Sequence, residues 1–201
     1  MRLTGILLPG RLYSTAGTLF DLADAVLTGR GDAVEHVTWL APEGLLDIDP
    51  EPFVRVHAEA ALHRIDASTQ PVLIAKSLGT RAAAFAAERR LPAIWLTPLL
   101  TDPSVAAAIT ANPAPALLVG GTADTFWDTS AARATGKPCL EIPGADHALR
   151  VPGPIRDYTN VLETIGTNIE NFLDLVRSET SPTAVLTVLE SRREAAYPRG
   201  L

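Results

Sequence analysis

Short apolar runs alternate with stretches of helical periodicity along most of the chain. Runs of four to eight residues rich in aliphatic and β-branched side chains predict strands, and apolar positions spaced three or four apart predict helices. Alternation of the two is typical of βαβ units, in which parallel strands form a sheet and helices cover it. We therefore predict an α/β fold, a three-layer sandwich with about six strands in a mostly parallel sheet and helices on both faces.

The predicted strands and helices follow one another with short breaks. The third strand, residues 72–75, is apolar throughout, which is typical of a strand that is buried on both faces. Trp39 and Trp95 fall in the second and fourth strands and are predicted core residues. The other strands cover residues 2–8, 34–40, 93–96, 116–119 and 138–142, and the helices cover residues 14–27, 53–67, 80–90, 105–111, 130–134 and 157–177.

The last stretch of the chain predicts a further helix. Ser181 and Pro182 form the pattern of an N-cap followed by proline at the first helical position. The residues that follow present an apolar face, formed by Val185, Leu186, Val188 and Leu189. We expect a core domain over residues 1–177 and a C-terminal extension over residues 178–201. The extension is expected to pack on its own domain or on a second copy of the chain, so a homodimer is one of two expected arrangements.

Charge and cysteine content narrow the classes of partner. The chain carries 17 Lys and Arg residues against 23 Asp and Glu residues, a formal charge of −6, without the basic cluster that binds phosphate groups. We therefore expect neither a nucleic-acid partner nor a membrane partner. Cys139 is the single cysteine, which excludes an intrachain disulfide. The apolar run at residues 5–8 is too short for a signal peptide, and we expect a cytoplasmic protein.

A serine lies between the third strand and the helix that follows it. Ser77 has Ala75 two residues before it and Gly79 two residues after it. These small residues permit a sharp turn that lifts the hydroxyl above the carboxyl edge of the sheet. The pattern A-x-S-x-G departs from G-x-S-x-G at its first position. The alternative role for Ser77 is a helix N-cap.

An acid and a histidine follow two later strands. Asp124 comes after the fifth strand, just beyond Gly120 and Gly121, and His147 comes after the sixth. Carboxyl ends of parallel strands meet at one edge of the sheet, where α/β folds place their sites. The chain order Ser, Asp, His is the order expected of hydrolases with this architecture. Three other acids compete for the same role, namely Asp102, Asp128 and Asp146.

Each of the three residue types has a chemical reason to be there. Serine is a weak nucleophile at neutral pH and needs a base within hydrogen-bond reach. An imidazole, with an ordinary pKa of about 6.5, can both accept a proton and return it. A carboxylate fixes the imidazole tautomer and stabilises its charged form. In this interpretation Ser77 is the nucleophile, His147 is the base and Asp124 orients it.

At these motifs the chain resembles the α/β-hydrolase superfamily, over roughly residues 1–177. The matching segments are residues 75–79, 120–124 and 144–147. Residues 8–11 resemble the loop after the first core strand, where many members carry His-Gly and this chain has Pro9 and Gly10. The resemblance implies that the backbone N–H groups of Arg11 and Leu78 form an oxyanion hole. It also implies that no metal or organic cofactor is needed.

The resemblance raises the question of a lid, which hydrolases of this fold often insert after the fourth core strand. Residues 98–113 leave room there for only one short helix, so we expect no lid domain and an open cleft. Loops at the same edge of the sheet supply candidate substrate-binding residues. These are Gly10, Arg11, Tyr13, Phe126 and Trp127, with simple packing as the alternative for the aromatic side chains.

Lys76 precedes the candidate nucleophile and has two expected positions. Its ammonium group either lies near the cleft, where it would attract an anionic substrate, or extends into solvent. We predict a serine hydrolase that cleaves an ester, thioester or amide bond of a small-molecule or acyl substrate. The alternatives are a non-hydrolytic enzyme of the same fold, such as a cyclase or lyase, and a binding module without turnover.

Motifs for other chemistries do not occur in the sequence. It contains no H-E-x-x-H or EF-hand pattern for a metal ion, and no G-x-G-x-x-G after the first strand for a dinucleotide. Gly136 and Lys137 are followed by Pro138, where a phosphate-binding loop requires serine or threonine. We therefore expect neither a metal nor a nucleotide cofactor.

Overall fold

A six-stranded parallel sheet organises the residues that the structure describes, 2–178. The structure is a computed structural model. Its strands are β1 Leu3–Leu8, β2 Ala33–His36, β3 Gln70–Lys76, β4 Ala93–Leu96, β5 Ala116–Gly121 and β6 Cys139–Ile142. Their order in the sheet is β2-β1-β3-β4-β5-β6. The helix predicted from Ser181 onward lies outside the described residues.

Helices cover the sheet on both sides and complete the predicted sandwich. They are α1 Thr18–Gly29, α2 Glu51–Arg64, α3 Ala83–Arg89, α4 Pro103–Ala111, α5 Thr129–Ala134 and α6 Ile155–Arg177. On one face, Leu7 of β1 is clustered with Phe20 of α1 and Phe172 of α6. On the other face, Ile6 is clustered with Phe85 of α3 and with residues of α2 and α4. The predicted α/β fold class is confirmed.

Strand β3 is buried over its last five residues and leads directly to Ser77. Val72 and Ile74 face α1 and α6, whereas Leu73 and Ala75 face α2 and α3. All four are completely buried, and burying a large aliphatic side chain contributes about 1.5–3 kcal/mol. Because side chains alternate along a strand, Lys76 continues the row that faces α1 and α6. The apolar pattern of residues 72–75 correctly predicted a strand buried on both faces.

The second strand is shorter than predicted. It ends at His36, opposite Leu7, and as an edge strand it pairs only with β1. The prediction that Trp39 lies in this strand is therefore wrong. The Trp39 ring is only partly buried, packs 5.6 Å from the Phe53 ring and donates a hydrogen bond to the carbonyl of Gly10. Trp95, in contrast, lies in β4 and is buried as predicted.

The segments on either side of β4 set the shape of the carboxyl edge. A 3₁₀ helix, Ser77–Ala82, follows β3 and leads into α3, which ends where Arg90 adopts a left-handed conformation. Between β4 and β5 there is one helix, α4, and its first turn is capped by the Asp102 side chain. No lid domain interrupts the described residues. Within residues 2–178, no helix is long and apolar enough to cross a membrane.

Candidate active site

The turn after β3 holds Ser77 in a strained backbone conformation. Its φ angle is +51°, a left-handed value that costs a residue other than glycine about 1–3 kcal/mol. Gly79 makes the turn possible, because a Cβ atom at this position would lie 2.5 Å from the carbonyl oxygen of Leu8. Ala75 pairs with Leu8 in the sheet and is fully buried. The turn therefore lies directly against the end of β1.

Two hydrogen bonds join Ser77, His147 and Asp124. The Ser77 Oγ atom lies 2.9 Å from His147 Nε2, and His147 Nδ1 lies 2.7 Å from Asp124 Oδ2. A carboxylate only accepts hydrogen bonds, so we assign the ring proton to Nδ1, which leaves Nε2 free to accept from the serine hydroxyl. The Asp124 side chain is completely buried, whereas that of His147 is 33% exposed. The arrangement can transfer the serine proton to the imidazole.

The competing acids are engaged elsewhere. Asp128 caps α5 by accepting a hydrogen bond from the Ala131 N–H. Asp102 caps α4 and forms an ion pair with Arg81. Asp146 is adjacent to His147 in sequence, but its carboxylate accepts hydrogen bonds from backbone N–H groups of its own loop, those of Ala148 and Arg150. Asp124 is therefore the acid that contacts the imidazole.

The loops that carry Asp124 and His147 are packed against each other. A Cβ atom at Gly121 would lie 2.1 Å from the carbonyl oxygen of Ala145, so only glycine permits this approach. The Ala123 N–H donates to that same carbonyl at 3.0 Å. The second oxygen of Asp124 accepts a hydrogen bond from the Phe126 N–H at 2.9 Å. The carboxylate is thus fixed by its own turn before it meets the imidazole.

Comparison with known proteins gives matches in structure and none in sequence. No protein-family model and no curated protein matches the chain. Est1E from Butyrivibrio proteoclasticus superposes with a TM-score of 0.65 over 89% of both chains, at 16% identity. An alpha-beta serine hydrolase homologue from Coxiella burnetii superposes with a TM-score of 0.63 over 83% of this chain and 84% of its own, also at 16% identity. The chain has the α/β-hydrolase fold.

A third match concerns the missing lid. XC6422 from Xanthomonas campestris, described as an α/β serine hydrolase without lid, superposes with a TM-score of 0.52. The match covers 85% of this chain and 82% of that one, at 16% identity. The α/β-hydrolase fold without a lid domain therefore has a solved example. At these identities the likeness establishes the fold, and the chemistry must be argued from the site itself.

The α/β-hydrolase fold of this chain brings two candidate oxyanion donors beside Ser77. The Leu78 N–H belongs to the first turn of a 3₁₀ helix, where backbone N–H groups have no partner within the helix. In the loop after β1, the Gly10 N–H donates to the Tyr13 carbonyl at 2.9 Å, which leaves Arg11 as the next N–H along the loop. Arg11, Leu78 and Ser77 all line one cavity.

This cavity has a volume of about 1130 Å³ and opens at the carboxyl edge of the sheet. Phe126 is 44% exposed, and its ring centre lies 5.0 Å from that of His147. Further apolar side chains are exposed around the opening, namely Leu12, Leu46 and Ile48. No pattern in the sequence pointed to Leu46, Ile48 or Arg81, because it is the fold that brings the connection between β2 and α2 and the end of the 3₁₀ helix to the cavity.

The other two aromatic residues predicted to bind substrate are Tyr13 and Trp127. Tyr13 lines the cavity and its hydroxyl accepts a hydrogen bond from the Leu19 N–H, while burial raises its pKa. Trp127 does not line the cavity. Its ring covers Gly120, where a Cβ atom would lie 1.9 Å from the ring, and its Nε1 donates to Glu141 at 2.7 Å. The structure thus gives Trp127 the packing role.

Lys76 does not extend into solvent, which was the second of its two expected positions. It lies at the cavity wall but is only 1% exposed, and its Nζ atom is turned into the protein. Nζ donates to Thr97 Oγ1 at 2.9 Å and to the His147 carbonyl at 2.8 Å. Burial lowers the pKa of Lys76 to about 8, an effect that Asp124 and Asp146 partly oppose. The position of Thr97, which has a φ angle of +44°, gave no signal in the sequence.

Metal binding has no structural support among the described residues. Within residues 2–178, no group of three or more His, Cys, Asp or Glu side chains is arranged to hold a metal ion. His57 and His63, both on α2, each bond through Nδ1 to a backbone carbonyl of their own helix.

Proposed function

We propose that this protein is a serine hydrolase that cleaves an ester or a related acyl bond through an acyl-enzyme on Ser77. The observation that carries the proposal is the pair of hydrogen bonds from Ser77 to His147 and from His147 to Asp124. Neither a helix N-cap nor a packing serine needs a histidine that is itself oriented by a buried carboxylate. The strained backbone at Ser77 supports the same interpretation, since such strain is concentrated at functional sites.

The proposed reaction has two stages. Ser77 Oγ attacks the acyl carbonyl carbon while His147 Nε2 accepts the hydroxyl proton. His147 then gives that proton to the departing alcohol, amine or thiol as its bond to the acyl carbon breaks, which leaves acyl-Ser77. In the second stage, His147 takes a proton from water as the water oxygen attacks the acyl group. The acid is released and Ser77 regains its proton.

The developing negative charge needs donors that are already in place. The N–H groups of Arg11 and Leu78 are the candidates, because both residues line the cavity beside Ser77. In a serine protease, loss of a single oxyanion donor costs about 2.7–4 kcal/mol of transition-state stabilisation. The Asp124 carboxylate stabilises the imidazolium that forms in each stage.

The cavity supports a small substrate with an apolar acyl group. Its opening is surrounded by Leu12, Leu46, Ile48 and Phe126, which can contact an alkyl or aryl group. Est1E, one of the structural neighbours, has been solved with ferulic acid bound. We therefore choose p-nitrophenyl esters of increasing chain length together with methyl ferulate, and include a thioester and an anilide to compare leaving groups.

Labelling with a fluorophosphonate probe tests the nucleophile directly. We expect the wild-type protein to gain one probe mass per chain and Ser77→Ala to gain none. Ser104→Ala is the matched control, because Ser104 also lines the cavity but its hydroxyl donates to Asp102. Absence of labelling on folded wild-type protein would overturn the proposal in favour of a binding module. Labelling without hydrolysis of any substrate in the panel would favour a non-hydrolytic enzyme.

A further inference from the structure

Lys76 is a buried cation that the proposed reaction does not use. Its Nζ atom contacts three segments of the site at once. It donates to Thr97 Oγ1 just after β4 and to the His147 carbonyl in the histidine loop, and it lies 4.8 Å from the ring centre of Tyr13 in the loop after β1. The side chain itself extends from the last residue of β3, immediately before Ser77. One ammonium group thus joins the nucleophile turn to the three loops around it.

Burial of this ammonium group is costly, and its contacts among the described residues include no ion pair that would offset the cost. Its hydrogen-bond acceptors are two uncharged oxygens, and its third neighbour is an aromatic ring. Removing an ammonium ion from water without a directly paired carboxylate is strongly unfavourable. A methionine or leucine at the end of a buried strand would avoid that cost. The retained charge therefore points to a function at the site.

The charges around Nζ indicate what that function is. The carboxylates that attract it are Asp124 and Asp146, both from loops at the same edge, and the Tyr13 ring also lies against it. Asp124 is completely buried and contacts the imidazole. A buried carboxylate is costly to keep away from water unless other charges or hydrogen bonds compensate it. A nearby cation offsets that cost.

We propose that Lys76 is a positioning residue of this site: its Nζ holds the main chain of His147, and its charge balances the buried Asp124 carboxylate. The imidazole is thereby directed at Ser77 Oγ. This inference rests on the proposed function, since it concerns the same serine and histidine. Lys76 does not contact the reacting atoms, so its effect is on kcat and on the pH profile rather than on substrate binding.

The test compares Lys76→Met with a matched lysine variant. Lys137 also donates through Nζ to two carbonyl oxygens, those of Asn112 and Ala114, and burial also lowers its pKa. Lys137 precedes β6, at the edge of the sheet opposite the cavity. Lys137→Met therefore reproduces the loss of a partly buried lysine without touching the site.

We expect kcat of Lys76→Met to fall about 10- to 100-fold with KM changed by less than about threefold, because the base is displaced and not the substrate. The acid limb of kcat/KM against pH should move to higher pH, because a positive charge beside the histidine loop is lost. In Lys137→Met we expect kcat and the acid limb to match wild type. Equal pH profiles and equal kcat in the two lysine variants would overturn the inference.

Thr97 provides a second variant pair that does not depend on the stability of Lys76→Met. Thr97→Val removes one acceptor of Nζ but leaves its charge. We expect kcat to fall about 3- to 10-fold without movement of the acid limb, and Thr97→Ser, which keeps the hydroxyl, to restore most of kcat. If Lys76→Met does not fold and Thr97→Val has the kcat of Thr97→Ser, the positioning role is refuted.

Failure of this inference can be told apart from failure of the proposed function. Each variant is first titrated with the fluorophosphonate probe to count its reactive serines. If wild-type protein is not labelled by the probe and hydrolyses no substrate of the panel, the proposed function itself is refuted. If wild-type protein is labelled and hydrolyses the panel, but Lys76→Met has the kcat and the acid limb of wild type, only the role of Lys76 is refuted.

Discussion

Gly79→Ala is the substitution whose effect the structure defines most sharply. The turn at Ser77 and Gly79 crosses the end of β1 so closely that an added Cβ atom would lie 2.5 Å from the Leu8 carbonyl oxygen and 2.9 Å from that of Pro9. Both are backbone atoms, so they cannot rotate away as a side chain would. The 3₁₀ helix and the loop after β1 must therefore move apart.

The required movement sets the size of the effect. Carbon atoms in ordinary contact are about 3.5 Å apart, so the two segments must separate by about 1 Å. Overpacking of this kind costs about 1–3 kcal/mol, which lowers the melting temperature of a domain of this size by roughly 2–12 °C. The same displacement separates Ser77 from the Arg11 N–H, the candidate oxyanion donor in the neighbouring loop. A misplacement of about 1 Å lowers turnover by about 100-fold.

The assay combines thermal unfolding with hydrolysis of p-nitrophenyl acetate. Gly29→Ala is the control, because Gly29 is the last residue of α1 and a Cβ atom there would meet no other atom within 4 Å. Alanine is the better helix former, so the control should melt at or slightly above the wild-type temperature. If Gly79→Ala melted and turned over like Gly29→Ala, our account of the turn would be wrong.

Three further predictions concern the acid, the buried lysine and the opening of the cavity. Asp124→Asn should lower kcat by about 10⁴-fold, as in a serine protease that loses the correct histidine tautomer. Asp128→Asn should keep its activity, because asparagine can still cap α5. A larger loss of kcat in Asp128→Asn than in Asp124→Asn would identify Asp128 as the acid. Because the pKa of Lys76 is about 8 when folded and about 10.5 when unfolded, the unfolded chain binds the extra proton between these values. The free energy of unfolding should therefore rise with pH over that interval, by up to about 3 kcal/mol relative to Lys76→Met. If the free energies measured by urea unfolding changed with pH equally in wild type and Lys76→Met, this expectation would be contradicted. Hydrolysis of a short-chain ester should rise smoothly through the micelle concentration, and a sharp jump would reveal a mobile cover.

The order of elements and the three candidate catalytic residues could be predicted from the sequence because both depend on local signals. An apolar run such as residues 72–75 predicts a buried strand, and small residues such as Gly79 and Gly121 mark turns that only small side chains permit. Strand ends in a parallel sheet meet at one edge, so residues far apart in sequence could be placed together. The register between paired strands was not needed to predict that these residues lie close together.

Features that depend on register or on long connections could not be predicted. Lys76 pairs with Leu96 in the sheet, which brings Nζ to Thr97, and no local pattern distinguishes this lysine from one at the surface. Leu46 and Ile48 reach the cavity through the connection between β2 and α2. The end of β2 was misplaced for a related reason, since Trp39 resembles a strand residue but packs against α2.

The open cavity also determines what can intercept the covalent intermediate. Within residues 2–178, no domain folds over the Ser77 side of the sheet, so acyl-Ser77 would face bulk solvent for its whole lifetime. Added alcohols or amines would then compete with water through their concentration and their fit to the apolar side chains around the opening. In dilute aqueous solution this favours hydrolysis, and transfer of the acyl group to another acceptor would require a large excess of that acceptor.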